Sequence, residues 1–166
     1  EVKELHTKYM NAKLDPKIED LAALVNDTSH LDLEGIGRST NFIEKFDNIN
    51  TYSIDSPKEG TSLVYIYHEI KFIGIDTLVP GISKFLVVKE EGKDPHIYFG
   101  DIDEETSTFI TEFEKTETFT KLIDDVNDKL EKALDEDSVL SEFYAKLYQE
   151  NQSTDEGQDT SALANE

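Results

Sequence analysis

The sequence predicts an α+β fold in which a curved antiparallel sheet of at least four strands is flanked by helices at both ends of the chain. Apolar residues recur at helical spacing in residues 1–46 and 101–149, and they alternate with a period of two in residues 47–100. Of the 166 residues, 37% are hydrophobic and 10% aromatic, which is enough to build one core. We therefore expect a single domain over residues 1–149.

Residues 1–46 have the periodicity of helices packed on a sheet. The first helix is predicted from three apolar positions: Val2, Leu5 and Tyr9. Asp15 followed by Pro16 is typical of an N-cap with proline at the first helical position, and it predicts a second amphipathic helix that ends at Asn26. A third, brief helix is predicted from another apolar group: Phe42, Ile43 and Phe46.

Residues 47–100 have the alternation of strands. The run from Leu63 to Phe72 predicts a long strand with one buried face, on which the even-numbered side chains lie. Shorter strands are predicted at three further places: Ile49 to Ile54, Ile82 to Lys89, and His96 to Phe99. The loop at residues 91–95 contains the glycine and proline of a hairpin connection, so the minimal count is four antiparallel strands.

Residues 101–149 return to helical spacing, and we treat them as helices appended to the sheet. Asp101 or Asp103 can cap the first of three helices. This stretch has 15 acidic and 5 basic residues, a net charge of −10. The segment 150–166 has acidic and polar residues and neither Lys nor Arg, so we expect an acidic, disordered tail.

The formal charge of −21 excludes some classes of partner. Nucleic acids and anionic membrane surfaces bind through clustered Lys and Arg, so we expect no nucleic-acid partner. The chain has no cysteine, which removes thiol catalysis, disulfides and cysteine metal sites. It has no apolar run of the roughly 20 residues that a membrane span needs, so we expect membrane attachment only through an anchor outside this chain.

Metal and cofactor motifs are weak. The acids of Asp101, Asp103, Glu105 and Glu112 have the spacing of a calcium loop, but Thr106 occupies the position where that loop needs glycine. These acids suit the first turn of a helix better. We therefore expect no metal site and no cofactor.

His68 is the main candidate for chemistry. It lies in the middle of the long predicted strand, and if that face lines a cavity, its imidazole could act as a base or orient a ligand. Asp76 and Tyr98 are the partners that the sequence offers. The alternative is a histidine at the edge of a core, bonded to the backbone or to a tyrosine.

Two surfaces are candidates for binding. Tyr65 and Tyr67 lie on one face of the long strand, and exposed tyrosines there would suit a ligand, although tyrosine is also a common strand former. An acidic helical face could bind a basic partner or only keep the protein soluble. That face comprises Asp124, Asp125, Asp128, Glu131 and Asp135.

Two segments, Phe46 to Ile54 and Val64 to Ile82, resemble the NTF2-like (cystatin-like) α+β cone. Together with residues 97–100 and 103–148, the second segment is similar to uncharacterised extracytoplasmic domains of Gram-positive gut bacteria, often tethered to the membrane on their N-terminal side. The resemblance implies a cone whose ligands or substrates lie between the helices and the concave sheet. In enzymes of this superfamily an Asp–His or Tyr–Asp pair commonly acts there.

These observations lead to one principal interpretation and two alternatives. The principal one is an extracytoplasmic binding or interaction domain without catalytic activity, in the cell envelope or secreted, whose partner is a protein or a small molecule. The first alternative is an isomerase- or dehydratase-type enzyme with His68 as base and Asp76 or Tyr98 assisting. The second is a structural module of the envelope that meets a basic partner through its acidic helices. A homodimer is compatible with each.

Overall fold

The computed structural model describes residues 1–152, in which three helices precede a four-stranded sheet and three follow it. The first helices are α1 (Val2–Ala12), α2 (Ile18–Ala22) and α3 (Leu33–Thr40), with a 3₁₀ turn at Thr28–His30. The strands are β1 (Ile43–Asp55), β2 (Thr61–Phe72), β3 (Val79–Val88) and β4 (His96–Tyr98). The last helices are α4 (Glu104–Glu114), α5 (Glu117–Glu136) and α6 (Ser138–Gln152). The α+β class and the order of helices, sheet and helices are confirmed.

The sheet is an antiparallel meander in which consecutive strands are neighbours. β2 and β3 pair without interruption, from Thr61 opposite Val88 to Ile70 opposite Val79. We call the two sides of the sheet the even face and the odd face after the β2 residues on them. On the even face lie Val64, Ile66, His68, Ile70 and Phe72, and on the odd face Leu63, Tyr65, Tyr67, Glu69 and Lys71.

A bulge in β1 brings two of its apolar side chains to the even face. The β1–β2 register shifts between Asp47 and Asn50, and Asn48 adopts a positive φ of 48° there. An extra residue in one strand reverses the alternation of side chains beyond it. Phe46, before the bulge, and Ile49, after it, therefore point to the same side, where Phe46 contacts His68.

The chain after α2 covers the β4 edge of the sheet. Val25 forms a parallel bridge with Ile97. The N–H of Ile97 donates to the Leu24 carbonyl (2.8 Å), and its carbonyl accepts from the Asn26 N–H (3.0 Å). The Asn26 side chain also bonds to both backbone groups of Phe99. These bonds pair the backbone N–H and carbonyl groups at the open edge of β4, and they fix the segment after α2 to this end of the sheet.

The predicted second helix is wrong in its start and its length. It has five residues, and its N-cap is Lys17 rather than Asp15, so Pro16 does not occupy the first helical position. The apolar residues after it do not continue the helix because Val25 pairs with Ile97 instead. A tertiary contact thus overrides the helical pattern at this point.

The predicted third helix is also wrong in its position. α3 lies earlier in the chain, with Asp32 as its N-cap accepting from the Gly35 N–H (2.9 Å). Of the residues predicted to be helical, Ile43 and Phe46 lie at the start of β1, and Phe42 lies in the turn directly before it. An irregular strand explains the pattern, because the β1–β2 register also shifts between Ile43 and Lys45 and breaks strict alternation.

α1 and the segment around α2 cover one part of the even face. Leu5 and Tyr9 of α1 pack with Val64 and Ile66 of β2 in one buried cluster. The cluster also includes Leu21, Val25, Ile36, Val87 and Ile97. Burying such side chains contributes roughly 1.5–3 kcal/mol each, so this layer is a major part of the core.

α4 and α5 cover the odd face, and α6 closes one end of the sheet. Leu63, Tyr65 and Ile82 pack with Ile110 of α4 and Val126 of α5. Asp103 caps α4 by accepting from the Thr106 N–H (2.7 Å), which confirms one of the two predicted caps. At the other end of β2, α6 packs on the sheet through Phe72 and Phe143, whose ring centroids are 4.9 Å apart. Of the predicted tail, 150–166, the first three residues belong to α6 and the rest lies outside the described residues.

Candidate functional site

The candidate site lies between α1 and the even face of the sheet. Four polar or charged residues lie there within an otherwise apolar layer, and we call them the polar seam: His6 on α1, Lys13 directly after α1, His68 on β2 and Ser83 on β3. All four are buried, with at most 3% of their surface exposed.

Helical spacing places His6, Tyr9 and Lys13 on the same side of α1. The end of this helix is fixed by α3, since the Thr40 hydroxyl donates to the Lys13 carbonyl (2.8 Å). The Lys13 ammonium lies over the Tyr9 ring, 5.4 Å from its centroid. The fold thus holds a buried cation beside an aromatic ring at the C-terminal end of α1.

β3 forms part of the sheet side of the polar seam, opposite α1. Gly81 pairs with His68 and Ser83 pairs with Ile66, so the alternate residues Gly81, Ser83 and Phe85 share the even face. Phe85 contacts His6, with ring centroids 5.8 Å apart. Ser83 therefore lies between the position under His68 and the position under His6.

The His68 imidazole fits closely into its surroundings. It meets Phe46 edge to face at 5.6 Å and lies over Gly81. Its pKa is lowered to about 4, mainly because burial disfavours the imidazolium and also because the Lys13 ammonium repels it, while a hydrogen bond to the Ile66 backbone acts in the opposite direction. At neutral pH the ring is therefore uncharged and a weak base.

Three polar atoms of the polar seam have no hydrogen-bond partner within the described part of the chain: His6 Nε2, His68 Nδ1 and Ser83 Oγ. Buried polar groups are almost always paired in folded proteins, so three on facing elements need a physical explanation. Sequence reasoning missed His6, Lys13 and Ser83. A usable signal was present, because His6 and Lys13 lie two turns apart on the apolar side of the first predicted helix.

The other two residues predicted to act with His68 lie elsewhere. The Asp76 carboxylate is fully exposed and lies 3.7 Å from Lys71, an odd-face residue. Tyr98 pairs with Leu86 and packs on the odd face, and its hydroxyl donates to the Asp101 carbonyl (2.9 Å). The structure therefore does not bring His68, Asp76 and Tyr98 together into one catalytic group.

Tyr65 lies beneath the helices that cover the odd face. Its ring contacts Phe113 and Phe119, and its hydroxyl donates to Glu114 (3.0 Å), which also accepts from Lys84 (2.7 Å). Burial and the Glu114 carboxylate raise the pKa of Tyr65. With 3% of its surface exposed, Tyr65 does not belong to an open tyrosine surface.

Tyr67 lines an open cleft of about 200 Å³ between the sheet and α5. Its hydroxyl donates to Glu69 (2.7 Å), and the Lys129 ammonium lies 4.8 Å from its ring centroid. Burial raises the pKa of Tyr67, and the bond to Glu69 adds to this effect. The polar groups of Tyr67, Glu69 and Lys129 are thus already paired with each other, and none of the three is left unpaired in this open cleft.

The described residues indicate no metal or membrane site. Within residues 1–152, no group of three or more His, Asp or Glu side chains is arranged to hold a metal ion. None of the helices in that part of the chain has the length and apolar character required to cross a bilayer.

Comparison with known proteins adds no identity to this geometry. The chain matches no protein-family model, no curated protein and no solved structure. The α+β architecture is therefore established by the structure itself, and function has to be argued from the polar seam and the surfaces around it.

Proposed function

We propose that this protein is a non-catalytic, extracytoplasmic binding domain that takes a small molecule between α1 and the even face of the sheet. One observation carries the proposal: α1, β2 and β3 each contribute a buried polar atom that lacks a partner among the described residues. A buried hydroxyl or imidazole nitrogen without a partner destabilises the folded state by about 1–3 kcal/mol. A polar ligand in the seam removes that penalty, which links folding to binding.

The arrangement of the three sequence-predicted residues favours binding over catalysis. Asp76 is exposed beside Lys71, and Tyr98 is on the opposite face from His68. A general base also needs a pKa near the working pH and a partner that orients it, and burial holds the pKa of His68 near 4. The isomerase or dehydratase alternative is therefore less well supported.

The resemblance to the NTF2-like cone supports the same position for the ligand. In that superfamily the functional space lies between the first helices and the concave sheet, which corresponds to the position of the polar seam. The extracytoplasmic location, in the envelope or secreted, rests on this resemblance alone. A membrane anchor outside the chain stays part of the proposal on the same ground.

The proposal is tested with ¹H–¹⁵N correlation spectra of the whole chain, titrated with small uncharged probes: phenol, benzyl alcohol, toluene and glycerol. We expect at least one probe to shift the backbone signals of His6, His68 and Ser83 together. Ser83→Ala should weaken that binding at least threefold, whereas Ser62→Ala, on the same sheet, should not. Shifts confined to the Tyr67 cleft, or no shifts with any probe, would overturn the proposal.

A second candidate function rests on the exposed face of α5. All five carboxylates predicted to form an acidic face are exposed in the structure: Asp124, Asp125, Asp128, Glu131 and Asp135. Such a face would bind a basic partner through long-range attraction. Binding of a cationic polymer such as polylysine should then weaken steeply between 50 and 300 mM salt. Salt-independent binding, or none, would exclude this function.

A further inference from the structure

The two edges of the sheet differ in what covers them. At the β4 edge, Val25 bridges to Ile97, and the backbone groups of Ile97 are paired. The opposite edge is formed by β1, which pairs with β2 on one side, and within residues 1–152 no strand pairs with its other side. Such an edge presents a row of N–H and carbonyl groups that a further strand can bond.

The hydrogen bonds beside β2 indicate which groups of β1 point outward. The Ser56 N–H donates to the Thr61 carbonyl (3.0 Å), so the even-numbered residues that follow the bulge bond to β2. The alternate residues direct their N–H and carbonyl groups away from the sheet, and we call them the outward row: Ile49, Thr51, Ser53 and Asp55. Before this row lies the bulge, where the N–H and the carbonyl of Asn48 are bonded to neighbouring side chains.

The charge pattern of this edge favours a second copy of the chain as its partner. Residues 49–54 contain no charged side chain, although 32% of the chain is charged. Each copy carries a formal charge of −21, so two copies repel each other least where these uncharged segments meet. The bulge at Asn48 closes one end of the segment and Pro57 the other, which limits pairing to residues 49–55.

We propose that two copies of this chain associate edge to edge through antiparallel β1 strands, joining their sheets into one of eight strands. The two-fold axis passes beside Tyr52. Thr51 of one copy then lies opposite Ser53 of the other, and Ile49 lies opposite Asp55. In this register every residue of the outward row belongs to a hydrogen-bonded pair, which gives about eight backbone bonds between the copies. A register centred elsewhere leaves part of the row unpaired.

The side chains of β1 suit this register. Tyr52 is 44% exposed, and its ring stacks on Phe113 with centroids 6.2 Å apart. At the two-fold axis the two Tyr52 residues form a pair without backbone hydrogen bonds, the kind in which opposite side chains lie closest. Aromatic pairs across strands are favourable, and so are the hydroxyl pairs that Thr51 and Ser53 form on the other face.

The contact is small, so the dimer is a weak one. Seven paired residues at about 3.4 Å each give a length of about 24 Å, typical of a transient interface. Lys3 of α1 reaches this edge, where its ammonium donates to the Asn50 side chain (3.2 Å). Both side chains are exposed, so a docking strand displaces this bond at little cost.

Sedimentation equilibrium of the whole chain measures the association. We expect the dimer to be the major species at about 0.5 mM protein in about 0.3 M salt, and the affinity to fall at least threefold in about 0.05 M salt, where the two acidic copies repel more strongly. Concentrating the protein should slow amide exchange at Thr51 and Ser53. A chain that stays monomeric would overturn the proposal and leave the β1 edge to a strand of another protein. A dimer without protection of these amides would also overturn it.

Charge exchange at Tyr52 tests the register. Tyr52→Glu and Tyr52→Lys each place like charges at the two-fold axis, so each variant alone should associate at least tenfold more weakly than the natural chain. An equimolar mixture should recover the dimer, because the mixed pair has opposite charges. The same two substitutions at Thr108, an exposed residue of α4, should change affinity less than twofold. A mixture that associates no better than each Tyr52 variant alone would overturn the proposal.

A backbone substitution tests the edge itself. Thr51→Pro removes an outward N–H and leaves the bonds between β1 and β2 intact, so it should abolish the dimer. Thr51→Val keeps that N–H and should keep the affinity within twofold. Circular dichroism checks that both variants fold, and if Thr51→Pro does not, the Tyr52 mixture decides. Equal association of the two folded Thr51 variants would overturn the proposal.

Discussion

Gly81 lies directly opposite His68 in the β2–β3 ladder, and the imidazole occupies the space that a side chain at position 81 would need. A Cβ built on Gly81 would lie 2.8 Å from His68 Nε2. Because Phe46 packs against the same ring, the imidazole has little room to move away. The absence of a side chain at Gly81 is thus what allows a histidine in the middle of a buried strand face.

Gly81→Ala should therefore lower the free energy of unfolding by about 1–3 kcal/mol, as expected when a core is overpacked. Urea denaturation measures the change. The control is Gly37→Ala in α3, where the nearest atom to a new Cβ is Pro16 Cγ at 3.8 Å and where alanine favours the helix by up to about 1 kcal/mol. In a His68→Ala background, Gly81→Ala should lose most of its effect. An equal loss in both backgrounds would show that the imidazole is not the obstacle.

Acidification from pH 7.5 to 5 should destabilise the protein through its two buried histidines. The pKa of His68 is about 4 in the folded state against about 6.5 in the unfolded chain, so between these values the unfolded state binds more protons. Stability is full above pH 6.5 and falls as the pH decreases toward 4. For His68 alone the loss is about 2 kcal/mol at pH 5, and the lowered pKa of His6 adds a loss of the same sign.

Urea denaturation at pH 7.5, 6 and 5 checks this prediction. The charged group that influences His68 most is Lys13. His68→Gln should flatten the pH dependence by about the amount assigned to His68. An unchanged slope in His68→Gln would contradict the buried, neutral state of this imidazole.

Ser83→Ala should raise the free energy of unfolding of the ligand-free protein by about 1 kcal/mol. The Ser83 hydroxyl is buried and has no partner in the described chain, so removing it removes a desolvation penalty rather than a bond. Ser62→Ala is the matched control, because the Ser62 hydroxyl donates to Asp55 (3.3 Å), and it should give no gain. A loss of stability with Ser83→Ala would show that this hydroxyl has a partner in solution, such as an internal water.

The periodicity of the sequence was sufficient for the sheet and insufficient for the first helices. The long strand could be predicted because the even positions of β2 form one continuous buried face. The expectation of only one buried face was wrong, because α4 and α5 also bury Leu63 and Tyr65 on the odd face. The end of α2 could not be predicted in this way, because it depends on the bridge between Val25 and Ile97, which lies 72 residues later in the chain. The start of β1 was obscured by its register shifts, which give Ile43 and Phe46 a spacing that a helix also produces.

The candidate site was predicted only at His68. Its burial and its position on the inward face follow from alternation, but its partners depend on which element packs above it. Asp76 and Tyr98 are near His68 in the sheet region of the sequence, yet one is exposed beyond β2 and the other is on the opposite face. His6 joins it because α1 crosses the even face, and Ser83 joins it because β3 pairs with β2. Local spacing specifies neither arrangement.

Tyr65 should stabilise the packing of α4 and α5 on the odd face by two separable contributions. Tyr65→Phe removes the bond to Glu114, which still accepts from Lys84, so we expect a loss of about 0.5–1.5 kcal/mol. Tyr65→Ala also removes the ring contacts with Phe113 and Phe119 and should lose about 3–5 kcal/mol.

Chemical denaturation of both Tyr65 variants checks these values, with Tyr52→Phe as the control. Tyr52 is 44% exposed, so the loss of its hydroxyl should change stability by less than about 0.5 kcal/mol. Equal effects of the Tyr65→Phe and Tyr52→Phe substitutions would contradict a stabilising bond between Tyr65 and Glu114.

Asp137 should fix the start of α6 to the loop after β2. Its carboxylate accepts from the Leu140 N–H (3.0 Å) and from the Thr77 hydroxyl (2.7 Å), and both bonds lower its pKa. Asp137→Ala removes the helix cap and the tertiary bond together, so we expect it to lower the free energy of unfolding. Thr77→Val removes only the second bond and should lose less.

Hydrogen exchange separates these two contributions. In Asp137→Ala the amides in the first turn of α6 should exchange faster, and those of β2 near Phe72 should follow, because α6 holds Phe143 against that ring. In Thr77→Val the first turn of α6 should keep its protection, since the cap is intact. Equal exchange in the two variants would mean that the bond to Thr77, rather than the cap, determines where α6 packs on the sheet.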